Sequence, residues 1–372
     1  MRTYRDEKDI GACSLSGMMS ETRRRMPGGD IIQSIALMHD RSNGLGGGFA
    51  AYGIYPEYAN DYAFHLMFDN LSAKQHTEAL LEDQFVVEHS EEIPTRPTQG
   101  IADAPILWRY FVHPKAEKRI AAKISEDDFV VHSVMTINRT IEGAFVMSSG
   151  QNMGVFKAVG FPEDVGRFYR LEEYEAYTWI GHGRFPTNTP GWWGGAHPFA
   201  LLNFSIVHNG EVSSYGANRR YLEIFGYECT LMTDTEVLAY FFDLLVRRHQ
   251  LPMEIVALVL AAPLWSEIER LPEPRQQLIR ALRAVYGSAL VNGPFAFILG
   301  YDGGLFGLND RIKLRPLVAA KKGDVLYIAS EESGIREICP QPDRVWMPRA
   351  GEPVIGRFKE NAPEPQRSQR KS

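Results

Sequence analysis

Four short segments carry side chains whose types and spacing could do chemistry. Cys13, in Ala12-Cys13-Ser14-Leu15-Ser16-Gly17, is a thiol at the start of an apolar run; it reads either as a buried structural cysteine or as a nucleophile. His182-Gly183-Arg184-Phe185-Pro186-Thr187-Asn188-Thr189-Pro190 is dense in turn formers. Its Arg184 is either a surface ion-pair residue or a planar fork for a carboxylate. Val207-His208-Asn209-Gly210-Glu211-Val212 places Asn-Gly between two apolar runs. That pair makes a hairpin turn, or it supplies an Asn amide and a Gly N–H that both donate to one developing oxyanion. Thr233-Asp234-Thr235-Glu236 starts a helix, with Asp234 favoured by the dipole; a carboxylate there could also hold a substrate ammonium.

The elements that must position these groups alternate in blocks. Short strands are expected at 15–19, 49–55, 62–68 and 85–89, where apolar, β-branched and aromatic residues lie between turn signals. A helix opened by Ser72-Ala73-Lys74-Gln75, an S-x-x-Q capping box, separates the last two. A helix at 127–141 is followed by strands at 144–148, 154–159, 177–181 and 204–208. A long helix over 234–249 is capped by Thr233 with Glu236 three residues on. Helical pattern from 251 to 286 is interrupted by Pro263 and by Pro272 and Pro274, and strands return at 295–301, 317–320 and 325–329. Helices in blocks between antiparallel-looking strands indicate an α+β architecture.

Composition removes several function classes. The 372 residues carry 40 basic and 46 acidic side chains, 40 − 46 = −6, so there is no electrostatic footprint for nucleic acid, and Arg23-Arg24-Arg25 is too short a run to make one. The most apolar stretch, 255–264, falls short of the ~20 residues a membrane span needs. The start, MRTYRDEKDIGA, lacks the apolar segment of a secretory signal. Cys13, Cys229 and Cys339 form no C-x-x-C pair, which suggests reduced thiols in a cytoplasmic protein. None of the ten histidines has metal-site spacing. The run Gly44-Leu45-Gly46-Gly47-Gly48 lacks the third glycine and the helix of a dinucleotide loop, and reads as a tight helix-to-strand turn.

Taken in order, Cys-x-x-x-Gly, HGRFPTNTPGWW, GAHPF, HNGEV and TDTE resemble the class II glutamine amidotransferases, which are N-terminal-nucleophile (Ntn) hydrolases. HDRSNGLGGGFAAYGIYPEY, GLNDRIKLRPL and ASEESG add a likeness to the glutaminase part of glutamate synthases, especially where that part is a separate chain. The resemblance implies a four-layer αββα sandwich of two antiparallel sheets over residues 13–358, with a polar tail at 359–372. It implies Cys13 as the nucleophile, its own α-amine as the general base, and Asn209 with Gly210 as the oxyanion hole. Arg184 would bind the substrate α-carboxylate and Asp234 its α-ammonium; Thr187 and His197 would shape the pocket, and Arg41, in HDRSNG, would lie near the nucleophile. The substrate implied is L-glutamine, with ammonia passed to synthase subunits in a hetero-oligomer. No cofactor belongs to this chain on that reading; flavin and iron–sulfur chemistry would sit on partner chains. Two departures stand out. Ser14 replaces the family's usual glycine after the cysteine, and twelve residues precede Cys13, so residues 1–12 are expected to be a propeptide. A regulatory or scaffold subunit that keeps the fold but never matures is the alternative; an Ntn hydrolase acting on another amide suits the Arg184–Asp234 pair less well.

Overall fold

The computed structural model describes residues 12–186, 191–360 and 362. The strand Ser14–Ser20 lies inside a seven-stranded antiparallel sheet, between Thr178–Gly183 and Val325–Ala329. Thr178–Gly183 pairs in turn with Gly47–Tyr52, and that strand with Met153–Ala158. Every residue of Ser14–Ser20 is buried, and successive side chains serve opposite faces. On one face, a Cβ added at Gly17 would come 3.1 Å from Ile298 of a second sheet. On the other, the Ser16 and Ser34 hydroxyls lie 2.6 Å apart, tying the strand to the helix Gly28–Ala36.

The second sheet has five antiparallel strands, in the order Phe199–Leu201, Phe204–Gly210, Phe295–Tyr301, Gly304–Asn309 and Val354–Arg357. Its outer face is covered by Asp234–Phe242, whose Phe242 meets Phe297 and Phe306 edge-on at 5.8 and 5.7 Å. Helices Gly28–Ala36 and Pro162–Phe168 pack on the outer face of the seven-stranded sheet. Helix, sheet, sheet and helix therefore stack as the four αββα layers, two apolar faces meeting as in other packed sheets.

A four-stranded antiparallel sheet adjoins the sandwich, ordered Phe85–Glu92, Ile106–Pro114, Tyr62–Phe68 and Ala144–Ser148. Its strand Tyr62–Phe68 is buried on both faces. Ala63 and Met67 join the core built around the seven-stranded sheet, whereas Phe64, Leu66 and Phe68 join the core that includes the helix Asp234–Phe242.

Three local expectations are corrected. The helix after Asn70 spans Leu71–Gln84 and is capped by Asn70, whose side chain accepts from the Ala73 N–H at 2.9 Å; Ser72 lies inside the first turn. Asparagine competes on equal terms with serine for that position. The helix expected over 234–249 is α-helical only through Phe242 and continues as a wider π turn, Asp243–Arg248. Its capping box is not made: the Thr233 hydroxyl accepts from Thr235 N at 3.2 Å, while Glu236 takes the Thr230 and Leu231 N–H groups. Lastly, Asn209-Gly210 is no hairpin turn. It ends the strand Phe204–Gly210, paired with Ala296 and Phe295.

Candidate active site

Ser14 pairs with Gly183, so Cys13 and Arg184 leave the seven-stranded sheet side by side. The Cys13 thiol accepts from the Phe185 N–H at 3.4 Å. Ser14 is fully buried, and a Cβ on Gly183 would stand 2.4 Å from its hydroxyl. Gly183 thus leaves the room that the Ser14 hydroxyl occupies. Arg41 reaches the same place from behind: its Nε and Nη2 donate to the Cys13 carbonyl at 3.3 and 3.2 Å, and its Nη1 pairs with Glu331 at 2.7 Å. It grips the nucleophile's main chain and is not among the residues lining the cavity in front of it.

That cavity, about 440 Å³, opens between the two sheets' ends and is lined by Cys13, Arg184, Trp192, His208, Gly210 and Asp234 among others. The facing strand brings Asn209, 1% exposed, to its end; the Nδ2 amide has no hydrogen-bond partner among the described residues. Buried donors are nearly always satisfied in folded proteins, which sets this amide apart, although Asn209 is not among the residues lining the cavity. Gly210 has φ +139°, and a Cβ there would lie 1.9 Å from the Pro294 carbonyl; only glycine fits. Two residues on, the Val212 N–H donates to Asp234 Oδ2 at 2.9 Å, which docks the helix start against the strand end.

The electrostatics follow from burial opposed by neighbours. Burial raises the Cys13 thiol pKa, while the Phe185 N–H and the cations Arg184, Arg315 and Arg41 pull it down. Burial also works against the Arg184 charge, supported in turn by Cys13 and Asp234; a guanidinium stays charged regardless. Burial would raise the Asp234 carboxyl, but His208, the Val212 N–H and the Thr235 hydroxyl outweigh it and hold the group below the usual range. A cation and an anion therefore face one cavity beside a thiol, the complement of a free α-amino acid.

His197 lies against the cavity with its Nε2 2.7 Å from Thr235 Oγ1, and its ring stacks on His182 at 4.1 Å. Close approach of this segment requires Gly48, where a Cβ would be 2.3 Å from the His197 carbonyl. Thr187 falls outside the described residues, as do residues 1–11 of the expected propeptide. Residue-by-residue reading missed the groups behind the pocket. His182 and His208 stand inside the quoted motifs but had no role assigned. Lys157, 2% exposed, donates to Gly194 O at 2.9 Å and anchors the loop that carries Trp192; nothing in its local sequence marks it. Burial brings Lys157 down to about 7 and Glu236 up to about 7. Among the described residues no three His, Cys, Asp or Glu side chains are grouped to hold a metal ion, and no helix is long and apolar enough to cross a membrane.

Residues 98–347 match the family model described as glutamine amidotransferases class-II. A protein of Archaeoglobus fulgidus, described as uncharacterized, is 52% identical over 361 residues, covering 96% of this chain and 95% of its own length. A putative glutamine amidotransferase of Methanothermobacter thermautotrophicus is 24% identical over 331 residues, 88% of this chain and 93% of that one. Among solved structures, the glutamine phosphoribosylpyrophosphate amidotransferase of B. subtilis matches with 14% identity and a TM-score of 0.44, covering 94% of this chain and 50% of that chain. The chain thus spans about half the length of that solved relative.

Proposed function

The chain belongs to the class-II glutamine amidotransferases, and we propose that its cavity hydrolyses the side-chain amide of L-glutamine, with Cys13 as nucleophile, and delivers the ammonia to a partner synthase, specifically a glutamate synthase. The observation that carries this reading is the shared lining of one cavity by Cys13, Arg184, Gly210 and Asp234. Arg184 takes the α-carboxylate as a two-pronged donor, and Asp234 takes the α-ammonium. The amide carbon then lies before the Cys13 sulfur. Attack forms a C–S bond and pushes the carbonyl electrons onto oxygen, where the Asn209 amide and the Gly210 N–H stabilise the charge as it appears. Collapse breaks the C–N bond, and the nitrogen leaves as ammonia with the proton taken from the thiol. Water then hydrolyses the thioester to glutamate.

The proton carrier in this scheme is the α-amine of Cys13, whose ordinary pKa of about 7.7–8.0 lies close to neutral. In the uncut chain that nitrogen is an amide and no base, so the mature enzyme begins at Cys13, with residues 1–12 removed. The likeness of HDRSNG and GLNDRIKLRPL to glutamate synthase glutaminase chains supports that synthase as the acceptor. Flavin and iron–sulfur groups then belong to the partner subunits, and the working assembly is a hetero-oligomer in the cytoplasm. The test is ammonia release from glutamine by protein whose first residue is Cys13, followed by glutamate formation from 2-oxoglutarate once co-purifying chains are restored. Absence of ammonia release by that protein sinks the catalytic reading; release without any co-purifying synthase sinks only the assignment of the acceptor.

A further inference from the structure

We propose that Thr235 is a positioning residue for glutamine, its hydroxyl fixing the Asp234 carboxylate while the imidazoles of His197 and His208 both donate to that hydroxyl. The proposal deepens the reading of Asp234 as the ammonium ligand and rests on it. Thr235 is fully buried, yet its Oγ1 stands 3.2 Å from Asp234 Oδ1, 2.7 Å from His197 Nε2 and 3.2 Å from His208 Nδ1. A hydroxyl has one hydrogen and two lone pairs. The carboxylate can only accept, so the hydrogen goes to Asp234. Both lone pairs are then left for the two rings, each of which must present an N–H.

This proton count places an N–H on His197 Nε2 and on His208 Nδ1. The other nitrogens, His197 Nδ1 and His208 Nε2, are the ones buried without a partner among the described residues. The rings are braced in turn. His182 Nε2 donates to the His208 carbonyl at 3.0 Å, and the His182 ring stacks on His197. Since Val212 N–H already holds Asp234 Oδ2, the threonine completes the grip on the carboxylate from its second oxygen. A valine would fill the same volume but would leave Oδ1 only the longer 3.6 Å contact with His208 Nδ1 and leave the His197 N–H buried without its partner.

The experiment compares the parent enzyme beginning at Cys13 with Thr235→Val, Thr235→Ser and Asp234→Asn. Asp234 holds a part of the substrate remote from the reacting bond, so Thr235→Val is expected to raise KM for glutamine about tenfold with kcat nearly unchanged, and Thr235→Ser to restore KM. In the parent, histidine ¹⁵N spectra should place the His197 proton on Nε2 and the His208 proton on Nδ1, a readout that does not depend on the valine variant folding. Reversed tautomers, or a parental KM in Thr235→Val while Asp234→Asn raises it, overturn this proposal alone. A parental KM in Asp234→Asn overturns the ammonium assignment and this proposal together.

Discussion

The Cys13 thiol stands between opposed demands: burial disfavours the thiolate, and three arginines with one backbone N–H favour it. Its reactivity therefore depends on a base and not on a permanently ionised sulfur. Cys13→Ala is expected to abolish ammonia release and leave the fold intact, as circular dichroism and Tm would confirm; residual hydrolysis above about one part in a thousand of the parent contradicts the nucleophile assignment. Asn209 is the complementary case, a buried amide whose Nδ2 has no partner among the described residues. Asn209→Ala should lower kcat by about 10²–10³ while KM changes little, because the oxyanion exists only beyond the ground state; an unchanged kcat returns the residue to a packing role. Arg184→Lys keeps the charge and loses the fork, so KM for glutamine should rise at least about tenfold. At this scale the sequence motifs supply four residues that line one cavity, Cys13, Arg184, Gly210 and Asp234, while Asn209 lies behind Gly210 on the same strand. Lys157 and Thr235 were not legible, because their contacts come from neighbours remote in sequence, Gly194 for one and the two histidines for the other.

Elements were legible where local chemistry decides them. The strands at 62–68, 144–148, 295–301 and 325–329 lie where expected, and the helical region after 251 breaks at Pro263 and Pro272 into Met253–Leu260, Trp265–Ile268 and Glu273–Tyr286, as proline requires. Non-local pairing accounts for the failures. Asn209-Gly210 has every local mark of a hairpin, but its strand pairs with Phe295–Tyr301, far along the chain. Ile106–Pro114 went unread because the buried Arg109 interrupts its apolar run; the charge is met by Glu91 on the neighbouring strand. The strand end makes its own prediction. Gly210→Ala forces a Cβ into the Pro294 carbonyl at an unfavourable φ, so stability should fall by about 1–3 kcal/mol and kcat should fall with it. A variant as stable and active as the parent would mean that the strand end relaxes freely and does not hold the oxyanion donors.

At the scale of the molecule, the αββα stacking came from the resemblance and not from periodicity, since strands buried on both faces show unbroken apolar runs in place of alternation. The adjoining four-stranded sheet was not foreseen, as nothing local separates its strands from those of the sandwich. The buried Lys157 and Glu236 give the whole fold a pH signature. Glu236 titrates near 7 when folded against 4.5 ordinarily, so its contribution to stability is full below 4.5 and is lost as pH rises to 7. Lys157, near 7 against 10.5, contributes fully above 10.5 and loses that contribution as pH falls to 7. Unfolding free energy should therefore dip around neutral pH by about 1 kcal/mol or more, and the double variant Lys157→Met, Glu236→Gln should flatten the curve; an equal dip in that variant assigns it elsewhere. The central claim, that the free α-amine of Cys13 drives glutamine hydrolysis, is tested most directly by the intact mass of the active fraction. Protein separated by ammonia-releasing activity should have the mass of a chain beginning at Cys13, and full activity in protein that retains Met1 would contradict the account.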